Sequence, residues 1–152
     1  MSVRVQSKPF DIAQELIAVR GTNTQIGAIV SFTGLVRDND GSEGLKSMTL
    51  EHYPGMTEME LSHLEREANA RWPLQASLIV HRFGTLKPGD DIVLVITASA
   101  HREAAFAAAQ FMMDCLKSRA PFWKKEERED GATHWVEAKA SDDCAQTHWK
   151  PS

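Results

Sequence analysis

The segment Lys117-Ser118-Arg119-Ala120-Pro121-Phe122-Trp123-Lys124-Lys125 places four cations within nine residues. An Ala-rich stretch precedes it, so the cluster falls at a helix end, where the helix dipole favours positive charge. Capping alone would account for such cations, but two features point to more. Pro121-Phe122-Trp123 is a rigid apolar insertion that would hold the charges on either side of it in fixed geometry. Cations held close together also destabilise one another's charge, which lowers a lysine pKa and makes a usable acid or nucleophile. The chemistry this suggests is the binding and conversion of an anion, a small phosphorylated substrate above all.

Two other segments could serve the same anion. Phe32-Thr33-Gly34-Leu35-Val36-Arg37-Asp38 runs from a strand end into a loop. There Gly34 permits close backbone approach and Arg37 presents a planar fork for phosphate or carboxylate. Its plainer role is a surface arginine paired with Asp38 or Asp40. Ser99-Ala100-His101-Arg102 stands at a strand-to-helix junction. First-turn amides there bind anions, and His101 and Arg102 add donors. The plainer role is that Ser99 or His101 caps the helix.

The remaining reactive side chains say less. Cys144 and His148 have a ligand-like spacing, but zinc normally takes three or four protein ligands. Cys115 falls inside the Ala-rich helix and reads as a small buried apolar residue, and Met112 and Met113 as core or pocket lining. His81-Arg82 is expected at a strand end facing a partner or solvent, and Glu65, Arg66 and Glu67 on a solvated helix face. No P-loop, dinucleotide fingerprint, nucleophile elbow or zinc-finger spacing is present.

These segments need a scaffold to position them. Strands are expected over Val3–Gln6, Gln25–Thr33 (ended by Gly34), Lys46–Tyr53, Leu78–Phe83, Ile92–Thr97 and His134–Lys139. Helices are expected after an Asp11 cap through Val19, over Glu58–Ala70 with Thr57 and Glu60 at capping-box spacing, and over Arg102–Arg119, which Pro121 terminates. Lys87-Pro88-Gly89-Asp90 turns a hairpin. Helices interleaved with hairpins predict an α+β fold with a mixed or mainly antiparallel sheet and three helices. Residues 1–140 form one domain, and residues 141–152 read as a polar tail.

Size and composition agree. The 152 residues suit one core, with 42% hydrophobic and 25% charged content and a net charge of −4. That balance argues against a nucleic-acid coat, so any cationic site is local. No apolar run has signal-peptide or membrane-spanning length. Two cysteines make no disulfide framework, and a reducing cytoplasm is the simplest compartment.

Taken together, the segments resemble the large, catalytic subunit of molybdopterin synthase. The matching stretches are residues 27–37 (Gly27 to Arg37), Leu50-Glu51-His52-Tyr53-Pro54-Gly55-Met56, His81-Arg82-Phe83-Gly84, Ser99-Ala100-His101-Arg102, and Lys117 through Glu126, with Trp135-Val136-Glu137-Ala138 following. They are co-linear over roughly residues 3–139. The resemblance implies an α/β-hammerhead-type fold, a homodimer of large subunits, and a heterotetramer completed by two small ubiquitin-like subunits. It implies a thiocarboxylated Gly-Gly tail on that partner, cyclic pyranopterin monophosphate as substrate, and two sulfur transfers that make the dithiolene of molybdopterin. The sulfur arrives on the partner, so the large subunit needs no catalytic cysteine, and no resident cofactor or metal is expected.

The family's two key lysines fall on Lys117 and Lys124. Lys117 is expected to position substrate or attack the partner's acyl group after sulfur transfer, and Lys124 to act as acid/base or stabilise developing charge. Arg37, His101 and Arg102 would hold phosphate and pterin, and the resemblance allows His101 and Arg102 to come from the other protomer. Lys125 and Glu126 adjoin the site. The loop around residues 40–44 and the tail after Lys139 match no family motif. Two rival readings are a non-catalytic module that binds a ubiquitin-like tail or phosphorylated ligand, and a zinc hydrolase built on Cys144 and His148.

Overall fold

The computed structural model describes residues 2–38, 44–136 and 149. Among the described residues there are three helices and eight strands, and the strands form two four-stranded sheets. The first sheet has β1 (Ser2–Gln6), β4 (Leu74–Arg82), β6 (Asp91–Ser99) and β2 (Ala28–Leu35) side by side. Only the β1–β4 pair is parallel. The second sheet is antiparallel throughout, with β5 (Gly84–Leu86), β3 (Leu45–His52), β7 (Phe122–Arg128) and β8 (Thr133–Val136) in that order. The α+β expectation holds, with two sheets in place of one.

Side-chain alternation along β4 and β6 explains the layering. Ile79, Val93 and Val95 face α2 (Met56–Arg71) and α3 (Arg102–Arg119), packing on Leu61, Leu64, Phe111 and Met112. Leu78, Val80, Leu94 and Ile96 face the opposite way, against Ile12, Leu16 and Val19 of α1 (Ile12–Arg20). Both faces of these strands are buried, so they read as continuous apolar runs. A smaller cluster of Val36, Leu45, Met48, Leu50 and Leu86 fills the second sheet. Trp149 packs edge-on against Trp72 and Phe111. Among the described residues no helix is long and apolar enough to cross a membrane.

Several elements differ from expectation. α1 does start at Asp11, whose carboxylate accepts from the Gln14 amide at 3.1 Å. α2 instead starts at Gly55, where the Glu58 carboxylate accepts from the Gly55 N–H at 3.0 Å, so the box lies two residues earlier than Thr57 and Glu60 suggested. Gly34 lies within β2, just before a register shift, and does not end it; a Cβ there would come within 2.9 Å of Val93 Cγ1, which favours glycine at this pairing. Glu65 is buried rather than solvated, accepting from Ser77 Oγ at 2.6 Å, and desolvation raises its pKa above the usual carboxylate value. The last strand is found over Thr133–Val136, and the rest of its expected range lies outside the described residues. β5 and β7 were not anticipated at all.

Thr57 turns out to be a fully buried clasp. Its hydroxyl accepts from the Tyr53 N–H at 3.0 Å and donates to the Pro121 carbonyl at 3.1 Å. It thereby ties the start of α2 to the α3–β7 junction that carries the cationic segment. Thr57→Val keeps the shape and leaves buried partners unpaired, which should cost about 1–3 kcal/mol. A denaturant midpoint unchanged from wild type would show that the clasp contributes nothing.

Candidate active site

The cationic segment does not act as one cluster. Arg119 is taken by α2: its guanidinium donates to Glu67 at 2.8 Å and lies 3.9 Å from Glu60. The hydrogen bond to Glu67 raises its pKa further. The remaining three cations are sorted by helix phase and strand alternation. In β7, Phe122 and Lys124 point one way and Trp123 and Lys125 the other. Lys125 Nζ stands 5.9 Å from the centre of the Trp135 ring, away from Lys124. Glu126 lies 3.7 Å from Arg128 on the same strand.

Lys117 and Lys124 come together in a pocket of about 120 Å³ between the sheets and α3. Met113, Leu116 and Lys117 reach it from one face of α3, at i, i+3 and i+4. β7 is registered on β3 so that Lys124 pairs with Leu50 and Phe122 with His52, which brings Phe122 and Lys124 to the pocket wall. Phe32 and Leu35 of β2 complete it and are 41% and 52% exposed, an apolar rim. Lys117 is exposed and Lys124 half-buried. The pocket thus offers two ammonium groups in apolar walls, a setting that strengthens charge–charge contacts with an anion.

His81 was expected at a surface and is instead buried in the same wall. It shares strand parity with Ile79, so its ring turns toward α3. Phe122 stacks on it with centroids 3.7 Å apart and planes 17° apart. Desolvation, and then the charges of Lys124 and Lys117, lower its pKa from 6.5 to about 4. Arg82 is also buried, on the opposite face, donating to the carbonyls of Ser7 and Asp91. Strand parity was the signal that could have found His81: within a strand buried on both faces, no position faces water.

The other candidates lie elsewhere in the single chain. Arg37 is exposed, two residues beyond Leu35 and outside the pocket lining. His101 and Arg102 line a separate depression with Gly27 and Ala28. Fifteen residues of α3 separate Arg102 from Lys117, about 22 Å at 1.5 Å per residue. The depression is held by a tight crossing, since a Cβ on Gly27 would meet the Ala100 carbonyl oxygen at 2.2 Å. Neither bland role for this junction is seen: His101 makes no side-chain cap bond, and Ser99 donates instead to the Pro73 carbonyl at 3.0 Å. Cys115 is buried, and desolvation raises its thiol pKa, which suits a structural rather than nucleophilic cysteine. Cys144 and His148 lie outside the described residues.

Fold and pocket together define an α+β protein with a dilysine pocket where its two sheets meet α3. Comparison with known proteins narrows this. The sequence model of the family described as MoaE protein matches residues 5–119. A "Molybdopterin synthase catalytic subunit" from Mesorhizobium japonicum is 53% identical over 152 residues, covering 99% of this chain and 94% of the relative. Its counterpart from Pseudomonas aeruginosa is 54% identical and covers 99% of both. Among solved structures, the "Molybdopterin biosynthesis MoaE protein" from Burkholderia ambifaria superposes with a TM-score of 0.82 at 47% identity, covering 98% of each chain. The chain belongs to the MoaE protein family.

Proposed function

We propose that this chain is the catalytic subunit of a molybdopterin synthase, a sulfurtransferase of molybdenum cofactor biosynthesis. It moves two sulfur atoms from the thiocarboxylated tail of a small ubiquitin-like subunit onto cyclic pyranopterin monophosphate. The observation that carries this reading is the convergence of Lys117 and Lys124 on one apolar-walled pocket, while Arg119 and Lys125 are engaged elsewhere.

The reaction brings together two anions, a phosphate-bearing pterin and a thiocarboxylate, and two ammonium groups offset that charge. A pocket of about 120 Å³ suits an extended Gly-Gly end, which has no side chains to accommodate. The exposed Phe32 and Leu35 give the partner apolar contact at its mouth. The thiocarboxylate sulfur bonds to a pterin carbon as that carbon's bond to an oxygen substituent breaks, and the acyl carbon–sulfur bond then breaks as the acyl group passes to water or to Lys117, leaving sulfur on the pterin. Exposed Lys117 positions the substrate or takes the acyl group, and half-buried Lys124 supplies the proton or stabilises the developing charge. Cys115 takes no part.

His101 and Arg102 are too far along α3 to reach their own chain's lysines, so they serve the pocket of a second protomer, and Arg37 extends the phosphate subsite from the loop after β2. Lys125 and Glu126 support β7 beside the pocket. The work takes place in the cytoplasm.

A small subunit ending in Gly-Gly should bind this chain and lose at least about tenfold in affinity when both glycines are removed, a change of about 1.4 kcal/mol. A dissociation constant indifferent to that truncation would place the tail outside the pocket.

A further inference from the structure

Among the described side chains lining the pocket, three are polar: Lys117, Lys124 and His81. His81 is only 5% exposed, and one face of its ring is covered by Phe122. Its Nδ1 lies 2.9 Å from the Arg82 carbonyl oxygen. A carbonyl only accepts, so in the neutral ring Nδ1 carries the proton and Nε2 the lone pair. Among the described residues, the titratable groups acting on the ring are all basic. Lys124 acts from β7, Lys117 from α3 and His52 from β3, and their fields add to the cost of burial. Arg82, the next residue, directs its guanidinium to Ser7 and Asp91 on the other face. No carboxylate lines the pocket among the described residues.

We infer that His81 is the pocket's proton acceptor, neutral while the pocket is empty and protonated at Nε2 when anions fill it. This rests on the reading of the pocket as an anion site. A bound anion offsets the lysine field that opposes a charge on the ring, and in so small a cavity it also touches the lining groups. Anion binding and proton uptake then favour each other by the same factor. In the transfer reaction the charged ring can give its Nε2 proton to the oxygen that leaves the pterin carbon as sulfur bonds there, and, neutral again, take the proton shed by a water molecule as its oxygen bonds to the acyl carbon. The carbon–sulfur bond breaks in that step, and its electron pair leaves on the pterin sulfur.

The test is an NMR titration of the full-length protein with ¹⁵N-labelled histidine and lysine, His81 being assigned by His81→Gln. Sulfate is the probe, because its charge is constant over the pH range used. Without sulfate the His81 midpoint is expected at about 4. With saturating sulfate it should rise by at least about one unit, a tenfold change in proton affinity. Sulfate should bind more tightly as the pH falls through that raised midpoint, and His81→Gln should lose this gain. If His81→Gln does not fold, the wild-type titration decides alone, the Nδ1–H tautomer identifying the ring. A midpoint that stays at about 4 with sulfate bound overturns the inference and leaves the anion pocket standing. Sulfate that leaves the Lys117 and Lys124 resonances unmoved overturns both.

Discussion

Replacing Lys117 by alanine should lower turnover by about 10³-fold, in the range seen when a single preorganised charge-stabilising donor is removed. The loss is expected in kcat, because under the proposed reading Lys117 holds the substrate in its reacting geometry or takes the acyl group as the carbon–sulfur bond breaks. Stability should stay within about 0.5 kcal/mol of wild type, since Lys117 is exposed and substitutions at such positions are usually mild. Kinetics of the reconstituted enzyme together with a denaturation curve make the check. A variant with wild-type kcat would remove Lys117 from the mechanism, and a variant that failed to fold would assign it a structural role instead.

The second large effect concerns the distance between the two cationic regions. Arg102→Ala should lower activity by about 10²-fold or more, as expected for a lost charged donor, even though Arg102 is remote from Lys117 of its own chain. If the sites are shared between protomers, the two defects complement each other. Mixing Lys117→Ala and Arg102→Ala subunits gives mixed dimers with one pocket intact and one doubly defective. Random exchange in a two-fold dimer should then restore about a quarter of wild-type activity. Activity that remains at the level of the separate variants would show that Arg102 serves its own chain or no pocket at all.

Much of this was legible in the sequence where local rules decide structure. α3 begins at Arg102 and ends at Arg119 because its Ala-rich run has helix propensity and Pro121 cannot continue it. α1 follows from its Asp11 cap and the apolar stripe of Ile12, Leu16 and Val19. The pairing of Lys117 with Lys124 emerged from spacing and family resemblance, and the fold brings both to one pocket.

What stayed hidden depends on tertiary pairing. β7 contains Lys124-Lys125-Glu126-Glu127-Arg128, which has no apolar alternation. It is a strand because β3 and β8 hydrogen-bond to it on both sides. That pairing sends Lys125 away from Lys124, which the linear cluster concealed. His81 looked like a surface residue because polar side chains usually are. Its burial follows from sitting in a strand covered on both faces, with Phe122 of the other sheet stacked on its ring. The separation of Arg102 from Lys117 was already implicit in helix rise, about 22 Å for fifteen residues, and it turns a single cationic wall into two regions that a dimer would join under the proposed reading.

Sulfur transfer itself decides the central claim. The purified chain, a thiocarboxylated small subunit and cyclic pyranopterin monophosphate are combined, and the pterin product is followed by mass spectrometry. The expected result is a dithiolene, with two thiocarboxylates consumed for each pterin converted. A small subunit that binds the pocket through its tail and keeps its sulfur, with the pterin unchanged, would contradict catalysis and leave only a binding module.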